Sequence, residues 1–353
     1  MFRDIAYEEV DLKKDKYLLI DVRSENEYEE ATIPGAINIP LFNNEERAQV
    51  GTVYKQEGPL YARELGLKIV SPKIPSLVQA VRDNLKEDQY PLFFCWRGGM
   101  RSKSMATFYD LIYPKTFRLD GGYRAYREYI LEKIAEFNVE IPVFTLHGVT
   151  GVGKTILLHK LKAKGVSVID LEGLAAHRGS VFGAIGLEPN NQKTFDSALF
   201  ENLKVVNQTD AVIIEAESKR VGKISVPDNI LLAKEHGHHV LIDASLPIRI
   251  QRILDEYQLD KNKEQFVDAY LRIERRIPTE FRPIIRNFID NNDFYHVIEL
   301  LLLQYYDPKY QFSTDQYEGN FFQVNSDDLD KAADEIFQYI QQIIQNKETI
   351  SIK

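Results

Sequence analysis

Sulfur is scarce in this sequence. Its 353 residues include a single cysteine, Cys95, and three methionines. One cysteine cannot form an intrachain disulfide, so a reducing, cytoplasmic environment is the simplest expectation. The lone thiol is also free for chemistry, which makes its neighbours in the sequence important.

Long apolar runs are missing as well. No stretch of about 18 consecutive apolar residues occurs, which excludes a transmembrane helix by the usual length criterion. The charged start, MFRDIAYEEVDLKKDKY, has no apolar core of a secretory signal. We therefore expect no association with a membrane.

Positive charge is in deficit. Lys and Arg number 44 against 53 Asp and Glu, which gives a formal net charge of −9. General binding to nucleic acid is disfavoured, because it depends on Lys and Arg that neutralise phosphates. A local basic groove remains compatible with this composition. The length and the hydrophobic content of 44% are typical of two or three globular domains.

Residues 1–135 have the pattern of a parallel α/β domain. Three short segments are rich in strand formers: Tyr17–Asp21, Tyr90–Phe94 and residues 116–119. Residues 33–40 (IPGAINIP) contain two prolines and a glycine, which predicts a loop and an edge strand. Helical spacing follows the second strand, at Met105, Phe108, Tyr109 and Ile112. Alternating strands and helices favour a parallel sheet.

A second α/β domain is predicted for residues 136–260. Its strand candidates are residues 143–146, 166–170, 211–215 and 239–243. A glycine-rich loop, GVTGVGKT at 148–155, separates the first of these strands from the start of a helix. Residues 261–353 are predicted to be a mostly helical extension of this domain, with an amphipathic helix at 332–344.

The thiol lies in a loop that is suited to anions. This thiol loop, residues 95–101, joins a predicted strand to a predicted helix and reads CWRGGMR. Its glycines let the backbone curl, and N–H groups at a helix N-terminus attract anions and favour a thiolate. We predict catalytic roles for Cys95, Arg97 and Arg101. The backbone of the anion cup would come from Trp96, Gly98, Gly99 and Met100.

Three interpretations of this loop remain open from the residues alone. A lone cysteine is often a buried structural residue, although the strand–Cys–Gly-Gly–Arg–helix context argues against that here. The spacing Cys-x5-Arg fits a cysteine phosphatase, but Phe94 rather than a histidine precedes Cys95 and no acid is evident nearby. A sulfurtransferase, which carries sulfur or selenium on its thiol, fits the same spacing.

The sequence GVTGVGKT matches the phosphate-binding pattern G-x-x-x-x-G-K-[ST], with the strand and helix that the pattern requires on either side. Three glycines would let this P-loop wrap around phosphates: Gly148, Gly151 and Gly153. Lys154 would contact the terminal phosphates, and Thr155 would ligate Mg²⁺.

Further groups could complete a phosphate site. Glu215 and Asp243 each end an apolar strand, so either could help to hold Mg²⁺, or could instead be a capping or surface carboxylate. Residues 241–253 are similar to kinase-like P-loop proteins, in which arginines close over phosphates. Candidates for such a lid, or for an ordinary solvated helix face, are Arg272, Arg275 and Arg276.

Several segments resemble known families. Residues 18–40 (LLIDVRSENEYEEATIPGAINIP) and 118–126 (RLDGGYRAY) resemble the rhodanese pattern, although many rhodaneses have a thiol loop one residue shorter before the arginine. A rhodanese domain with CWRGG, followed by a P-loop domain, resembles the bacterial tRNA 2-selenouridine synthases over nearly the whole chain. Three further stretches carry this resemblance: HRGSVFG at 177–183, EAESKRVGK at 215–223 and YDPKY at 306–310.

That resemblance implies a two-step exchange at the wobble uridine of tRNA. The 2-thio group is first alkylated by geranyl diphosphate, and selenium from selenophosphate then replaces the geranylthio group. The diphosphate would bind at the P-loop with Mg²⁺, and selenophosphate would bind at the thiol loop. An enzyme that supplies selenophosphate is a candidate partner. Candidate tRNA contacts are Lys219, Arg220, Lys223, Arg272, Arg275 and Arg276.

Two other functions remain open. An ATP-dependent rhodanese-type tRNA sulfurtransferase would use the P-loop to adenylate the base, and would consume ATP during turnover. A regulatory module would use the rhodanese domain to sense anions and the P-loop to switch partners. The intact thiol and both loop arginines argue against the regulatory module.

Overall fold

The computed structural model describes residues 1–308 and 321–351, with side chains described through residue 346. It divides into two compact units, Met1–Lys133 and Ile134–Lys353. Each unit contains a five-stranded sheet in which all the strands are parallel, with helices packed around it. The predicted α/β class is therefore confirmed.

The sheet of the first unit has the strand order β1-β5-β4-β2-β3. Its strands are Arg3–Ile5 (β1), Tyr17–Asp21 (β2), Ile37–Asn38 (β3), Tyr90–Phe94 (β4) and Phe117–Leu119 (β5). Its helices are Tyr7–Asp11 (α1), Glu25–Glu30 (α2), Asn44–Gln56 (α3), Pro59–Val70 (α4), Ile74–Asn84 (α5), Met100–Asp110 (α6) and Gly122–Glu136 (α7), which runs past the boundary between the units. The strands β2 and β4 occupy the bounds expected from their apolar residues.

The sheet of the second unit has the order β12-β11-β6-β8-β7, and a separate hairpin pairs β9 with β10. The strands are Val143–Gly148 (β6), Ser167–Ile169 (β7), Val212–Glu215 (β8), Arg220–Val221 (β9), Ile224–Ser225 (β10), His238–Asp243 (β11) and Phe322–Asn325 (β12). The helices are Lys154–Ala163 (α8), Leu171–Ala175 (α9), Gln192–Val206 (α10), Asp228–Glu235 (α11), Leu246–Tyr257 (α12), Leu259–Ile273 (α13), Phe281–Asp290 (α14), Phe294–Leu301 (α15) and Leu329–Ser351 (α16).

Two hydrophobic cores stabilise the second unit. One lies between the sheet and the helices α8 and α16, and includes Leu157 and Ile336. The other lies among α12 to α15, where Ile250, Phe266 and Val297 are buried together. Helix α12 packs in the helical core and its arginines bond to the P-loop backbone, so it links the P-loop to the helical part of the unit.

Parallel topology positions the candidate sites. In the register of the first sheet, Asp21 at the end of β2 lies beside Phe94 at the end of β4. Residues that follow these ends therefore meet at one edge of the sheet, which is where parallel sheets usually bind ligands. The same rule applies to β6 and the P-loop in the second unit.

The C-terminal region contains one strand in addition to its helices. Phe322–Asn325 forms β12 and pairs in parallel with β11, so it completes the sheet from within a stretch that was predicted to be mostly helical. Among the described residues, no helix is long and apolar enough to cross a membrane.

Candidate functional site

The lone cysteine lies at the carboxyl end of a central strand. Cys95 follows β4 directly, and α6 begins five residues later at Met100. The Cys95 side chain is buried. Its Sγ nevertheless has polar neighbours, because the Gly99 amide donates to it at 3.2 Å and the Ser102 hydroxyl oxygen lies 3.2 Å away. The sulfur therefore faces the N-terminal turn of α6.

Helix α7 packs against the thiol loop and hydrogen-bonds to its backbone. The amides of Tyr123 and Arg124 donate to the carbonyl oxygens of Cys95 and Trp96, at 2.8 and 2.9 Å. This close approach requires a glycine, because a Cβ on Gly122 (φ +65°) would lie 2.2 Å from the Cys95 carbonyl oxygen. The carbonyl oxygens of Cys95 and Trp96 are thus satisfied by the first turn of α7.

The two loop arginines have different environments. Arg101 makes a two-point contact with the Glu27 carboxylate, at 2.5 and 3.1 Å. Burial works against the charge of Glu27, but the hydrogen bond and charge of Arg101 outweigh it and lower the pKa of Glu27. Arg97 is exposed, and it makes no ion pair with any residue that the structure describes. Arg97 is therefore the loop arginine that is free to meet a ligand.

A third cation, Arg118, borders the thiol loop and was missed by the sequence analysis. Its Nη1 donates to the Gly98 carbonyl oxygen at 2.9 Å, while its Nη2 contacts Asp4 at 2.6 Å. The pKa of Arg118 is raised, mainly by the hydrogen bond to Asp4 and by the charge of Asp4, which together outweigh burial. Its place in RLDGGYRAY, which begins within β5, was the available signal.

The P-loop leads from β6 into α8. Gly148, Gly151 and Gly153 all have positive φ, of +154°, +84° and +88°. The Lys154 ammonium donates to the Gly148 carbonyl oxygen at 2.9 Å, so its side chain folds back across the loop. The backbone has the curled form that the glycine pattern predicts.

Two arginines of α12 hold the P-loop backbone. Arg249 is buried, donates from Nε to the Thr150 carbonyl oxygen at 2.9 Å, and contacts Asp307 through both terminal nitrogens, at 2.6 and 3.0 Å. Arg252 donates to the Val152 carbonyl oxygen at 2.9 Å. Sequence analysis singled out their segment but not these residues as the arginines at the loop.

A cavity of about 410 Å³ opens over the P-loop. Its size is within the range typical of small-molecule sites. Residues from the loop, from α9, from α12 and from the segment after α9 line it, among them Lys154, Thr155, Glu172, Arg178, Arg252 and Tyr257. The cavity therefore combines cations, carboxyl groups and apolar side chains, and its cations are suited to a phosphate ester.

Two carboxyl groups come together beside this cavity. The Glu172 amide donates to Oε2 of Glu215 at 3.1 Å, and Glu215 is fully buried. Burial, followed by the charge of Glu217, raises the pKa of Glu172 to about 8. Burial, followed by the charge of Glu172, raises the pKa of Glu215 well above its usual range. Oε1 of Glu215 has no hydrogen-bond partner among the described residues.

Comparison with known proteins agrees with this architecture. The model of the tRNA 2-selenouridine synthase AAA domain matches residues 141–282, and that of the rhodanese-like domain matches residues 6–129. A protein of Nitrosomonas europaea named tRNA 2-selenouridine synthase is 30% identical over 93% of this chain and 84% of its own length. Proteins of the same name from Proteus mirabilis and Hydrogenovibrio crunogenus are 32% and 33% identical, over 87% and 86% of this chain and 92% of each relative.

The chain belongs to the tRNA 2-selenouridine synthase family. It is an enzyme of this type, with a rhodanese domain and a P-loop domain, as the resemblance predicted.

The family motifs without an evident chemical role pack together near the P-loop cavity. His177 and Gly183 of HRGSVFG lie against each other, and the His177 ring also lies against Gly222 of EAESKRVGK, where a Cβ would be 2.9 Å away. A Cβ on Gly179 would lie 2.7 Å from Glu172 and 2.9 Å from Glu217. Because these positions are glycines, HRGSVFG and EAESKRVGK can pack against each other, and HRGSVFG can also pack against Glu172 and Glu217.

In the third motif, YDPKY, Asp307 forms an ion pair with Arg249. Its last two residues, Lys309 and Tyr310, lie outside the described residues. The Asp307 carboxylate neutralises the buried Arg249, which hydrogen-bonds to the Thr150 carbonyl oxygen of the P-loop.

The structure brings only one of the three predicted Mg²⁺ ligands to the cavity wall. Among the described residues that line the cavity, Thr155 is present, but Glu215 and Asp243 are not. Asp243 is exposed and accepts from the Ala244 amide at 2.9 Å. Glu172, which sequence analysis missed, lines the cavity instead. No group of three or more His, Cys, Asp or Glu residues suitable for a metal occurs in the described part of the chain.

The candidate tRNA contacts are all exposed. Lys219 is paired with Asp228 at 2.9 Å. Arg220 and Lys223 flank the β9–β10 turn and, within the described residues, make no ion pair. The same holds for the arginines at the end of α13 and just after it: Arg272, Arg275 and Arg276.

Proposed function

We propose that this enzyme replaces the sulfur of 2-thiouridine at the wobble position of tRNA with selenium, through an S-geranyl intermediate. The names of its relatives support a tRNA-modifying role in selenium transfer. The observation that carries the proposal is that one chain contains two glycine-containing loops, each between the carboxyl end of a strand and the start of a helix. One presents a thiol to a helix N-terminus, and the other opens into a cavity lined by cations, carboxyl groups and apolar side chains.

The first step would take place at the P-loop. The sulfur of the base attacks C1 of geranyl diphosphate, the C1–O bond breaks, and the N3 proton of the base is lost. Negative charge develops on the departing diphosphate, and Lys154 with the loop amides would stabilise it. Arg178 also lines the cavity and would be a further cation for the diphosphate.

Mg²⁺ fits the groups at this cavity. Thr155 and Glu172 line the cavity and offer oxygen donors, and the unpartnered oxygen of Glu215, which is hydrogen-bonded to the Glu172 amide through its other oxygen, is a buried acceptor beside them. Mg²⁺ usually binds through one or two carboxylates together with substrate phosphates, so a larger protein cluster is not required. When bound, it would offset charge on the diphosphate.

The second step would take place at the thiol loop. Selenium of selenophosphate bonds to C2 of the base, the C2–S bond breaks to release geranylthiol, and water cleaves the Se–P bond to give phosphate. The α6 N-terminus and Arg97 would bind the phosphate part of selenophosphate. Cys95, whose Sγ faces the N-terminal turn of α6, would contact the selenium atom. The geranylation of the first step favours this exchange, because a thioether sulfur leaves more readily than a thiocarbonyl sulfur.

Both steps act on one base of a tRNA, which must leave its stack to be reached. The exposed, unpaired cations at Arg220, Lys223 and Arg275 would supply backbone contacts. An enzyme that supplies selenophosphate would be a partner, and a cytoplasmic location would bring the enzyme to its tRNA.

Single substitutions should separate the steps. Thiolated tRNA is incubated with geranyl diphosphate and then with selenophosphate, and the digested nucleosides are identified by mass spectrometry. Lys154→Ala should block formation of S-geranyl-2-thiouridine, whereas Cys95→Ala should allow it and abolish 2-selenouridine. Because 2-selenouridine forms only from the S-geranyl product, Lys154→Ala should lose both products. Loss of S-geranyl-2-thiouridine in Cys95→Ala would contradict separate sites. ATP consumption coupled to turnover would favour the ATP-dependent sulfurtransferase.

A further inference from the structure

A narrow apolar cleft adjoins the P-loop cavity. Three residues line both spaces: Thr150, Ile253 and Tyr257. Because the spaces share these walls, a molecule held by the P-loop can extend from the cavity into the cleft. The remaining wall is hydrocarbon and aromatic, and includes Phe182, Phe266, Ile298, Leu302 and Tyr306.

The cleft lacks the groups that a nucleotide would need. Among the described residues that form its wall, none is charged. Burial raises the pKa of Tyr257, so its hydroxyl stays neutral. A ribose or a base placed here would lose hydrogen bonds to water and regain few of them, which costs free energy. A hydrocarbon chain would gain from the same surroundings.

One wall of the cleft has an uncommon backbone. Residues Leu302–Tyr306 are wound as a π-helix directly after α15, and Leu302 and Tyr306 of this segment face the cleft. Single π-turns are rare and are frequently found at functional sites. The open space in the cleft is only about 20 Å³. A hydrocarbon tail must therefore displace side chains to enter it.

We propose that this cleft binds the hydrocarbon tail of an allylic diphosphate whose diphosphate group lies at the P-loop. The inference rests on the proposed function and names the part of the chain that selects the tail. Each methylene that is buried from water strengthens binding by about fourfold. A tail of ten carbons is then preferred over one of five, because more of it reaches the cleft.

The test compares three ligands by isothermal titration calorimetry with the full chain: inorganic pyrophosphate, dimethylallyl diphosphate and geranyl diphosphate. We expect geranyl diphosphate to bind at least about tenfold more tightly than each of the other two. If pyrophosphate binds but geranyl diphosphate binds no more tightly, the cleft is not a tail site, while the diphosphate site of the proposed function survives. If none of the three binds, the proposed function fails at its first step and the inference falls with it.

A substitution that fills the cleft, compared with one at an exposed neighbour, tests the inference most directly. Leu302 is 1% exposed and lies in the cleft wall, whereas its neighbour Leu303 is 43% exposed. Leu302→Trp should keep the affinity for pyrophosphate and lower that for geranyl diphosphate at least tenfold, to about that of dimethylallyl diphosphate. Leu303→Trp, the matched control, should bind all three ligands as the unsubstituted chain does. Unchanged affinity of Leu302→Trp for geranyl diphosphate would overturn the inference.

Loss of pyrophosphate binding by Leu302→Trp would indicate misfolding. A second variant, which enlarges the cleft, then tests the inference. Leu302→Ala creates space instead of filling it. The affinity for farnesyl diphosphate, relative to that for geranyl diphosphate, should then rise at least about fivefold. A ratio equal to that of the unsubstituted chain would show that the cleft does not contact the tail.

Discussion

At the scale of single residues, the least expected feature is the pair of carboxyl groups beside the P-loop cavity. Glu172 and Glu215 come from two different strand–helix segments and share one backbone hydrogen bond. Both have a raised pKa because burial disfavours their charged forms. The free carboxyl pair thus prefers to keep protons until a cation replaces them.

Glu172 should make stability depend on pH. Between the ordinary carboxyl value of 4.5 and its raised pKa of about 8, the folded chain holds a proton that the unfolded chain has released. The free energy of unfolding therefore falls as pH rises through this interval. Glu172→Gln should reduce that fall by on the order of 1 kcal/mol. Urea unfolding at pH 5, 6.5 and 8 in metal-free buffer measures it.

Glu188→Gln is the matched control for this prediction. Glu188 is exposed, so its substitution should leave the pH profile unchanged. An identical profile for Glu172→Gln and the unsubstituted chain would show that Glu172 is not the group responsible.

Glycines of the first unit allow a second residue-scale prediction. Gly122→Ala should destabilise this unit by at least about 2 kcal/mol, because its φ is positive and the new Cβ would meet the Cys95 carbonyl oxygen. Gly99→Ala should be tolerated, since its φ is −84° and no atom lies within 4 Å of the new Cβ. Chemical denaturation followed by the fluorescence of Trp96 compares them. Equal stability of the two variants would contradict the packing of α7 against the thiol loop.

At the scale of secondary-structure elements, α12 is the element that couples the P-loop to the helical core. Its inner face is buried among α13 to α15, and its arginines bond to the P-loop backbone. Asp307, which follows the π-helix, completes the link by pairing with Arg249. The conformation of the loop thus depends on elements that lie far from it in sequence.

Removal of the Asp307 charge should loosen the P-loop. In Asp307→Asn the guanidinium of Arg249 stays buried without its counter-charge, which should lower the free energy of unfolding by about 2–4 kcal/mol. The affinity for pyrophosphate should fall as well, because Arg249 positions the Thr150 carbonyl oxygen. Urea unfolding and calorimetry provide the two readouts.

Asp290→Asn serves as the control, because Asp290 is exposed at the end of α14. Asp290→Asn should change neither the free energy of unfolding nor the affinity for pyrophosphate. A stable Asp307→Asn protein with normal pyrophosphate affinity would mean that Arg249 does not depend on its aspartate.

At the scale of the whole molecule, the chain has a net charge of −9 and yet carries exposed arginines and lysines without ion pairs. Attraction to tRNA must then come from local groups rather than from the overall charge. Arg220 and Lys223, in the β9–β10 hairpin, are two such residues within the motif EAESKRVGK.

The double variant Arg220→Ala/Lys223→Ala should bind tRNA more weakly at low salt. The slope of log affinity against log salt concentration should decrease in magnitude by about two, since each phosphate contact contributes slightly less than one. Filter binding at 50–200 mM salt, a range suited to such slopes, measures it. The double variant Arg63→Ala/Lys68→Ala, with one exposed arginine and one exposed lysine on α4, should behave as the unsubstituted chain. Similar slopes for both double variants would remove the hairpin from the tRNA site.

Local patterns of the sequence determined the elements and the two loops. The strands Tyr17–Asp21 and Tyr90–Phe94 were predicted with their observed bounds, because compact apolar runs favour strands wherever they are buried. The P-loop followed from its glycines, which alone adopt the positive φ angles that the turn requires. The thiol loop followed in the same way from a strand, two glycines and a helix start.

Only the tertiary structure decided which distant residues complete these loops. Arg249 and Asp307 are 58 positions apart, and the Glu172 amide meets a carboxylate 43 positions away. The strand β12, four residues long, is defined by its pairing with β11 rather than by its own composition. Such contacts depend on how the chain folds back on itself and on the burial that results. No spacing within the sequence encodes them, because each partner is an ordinary charged or apolar residue until folding brings the other beside it.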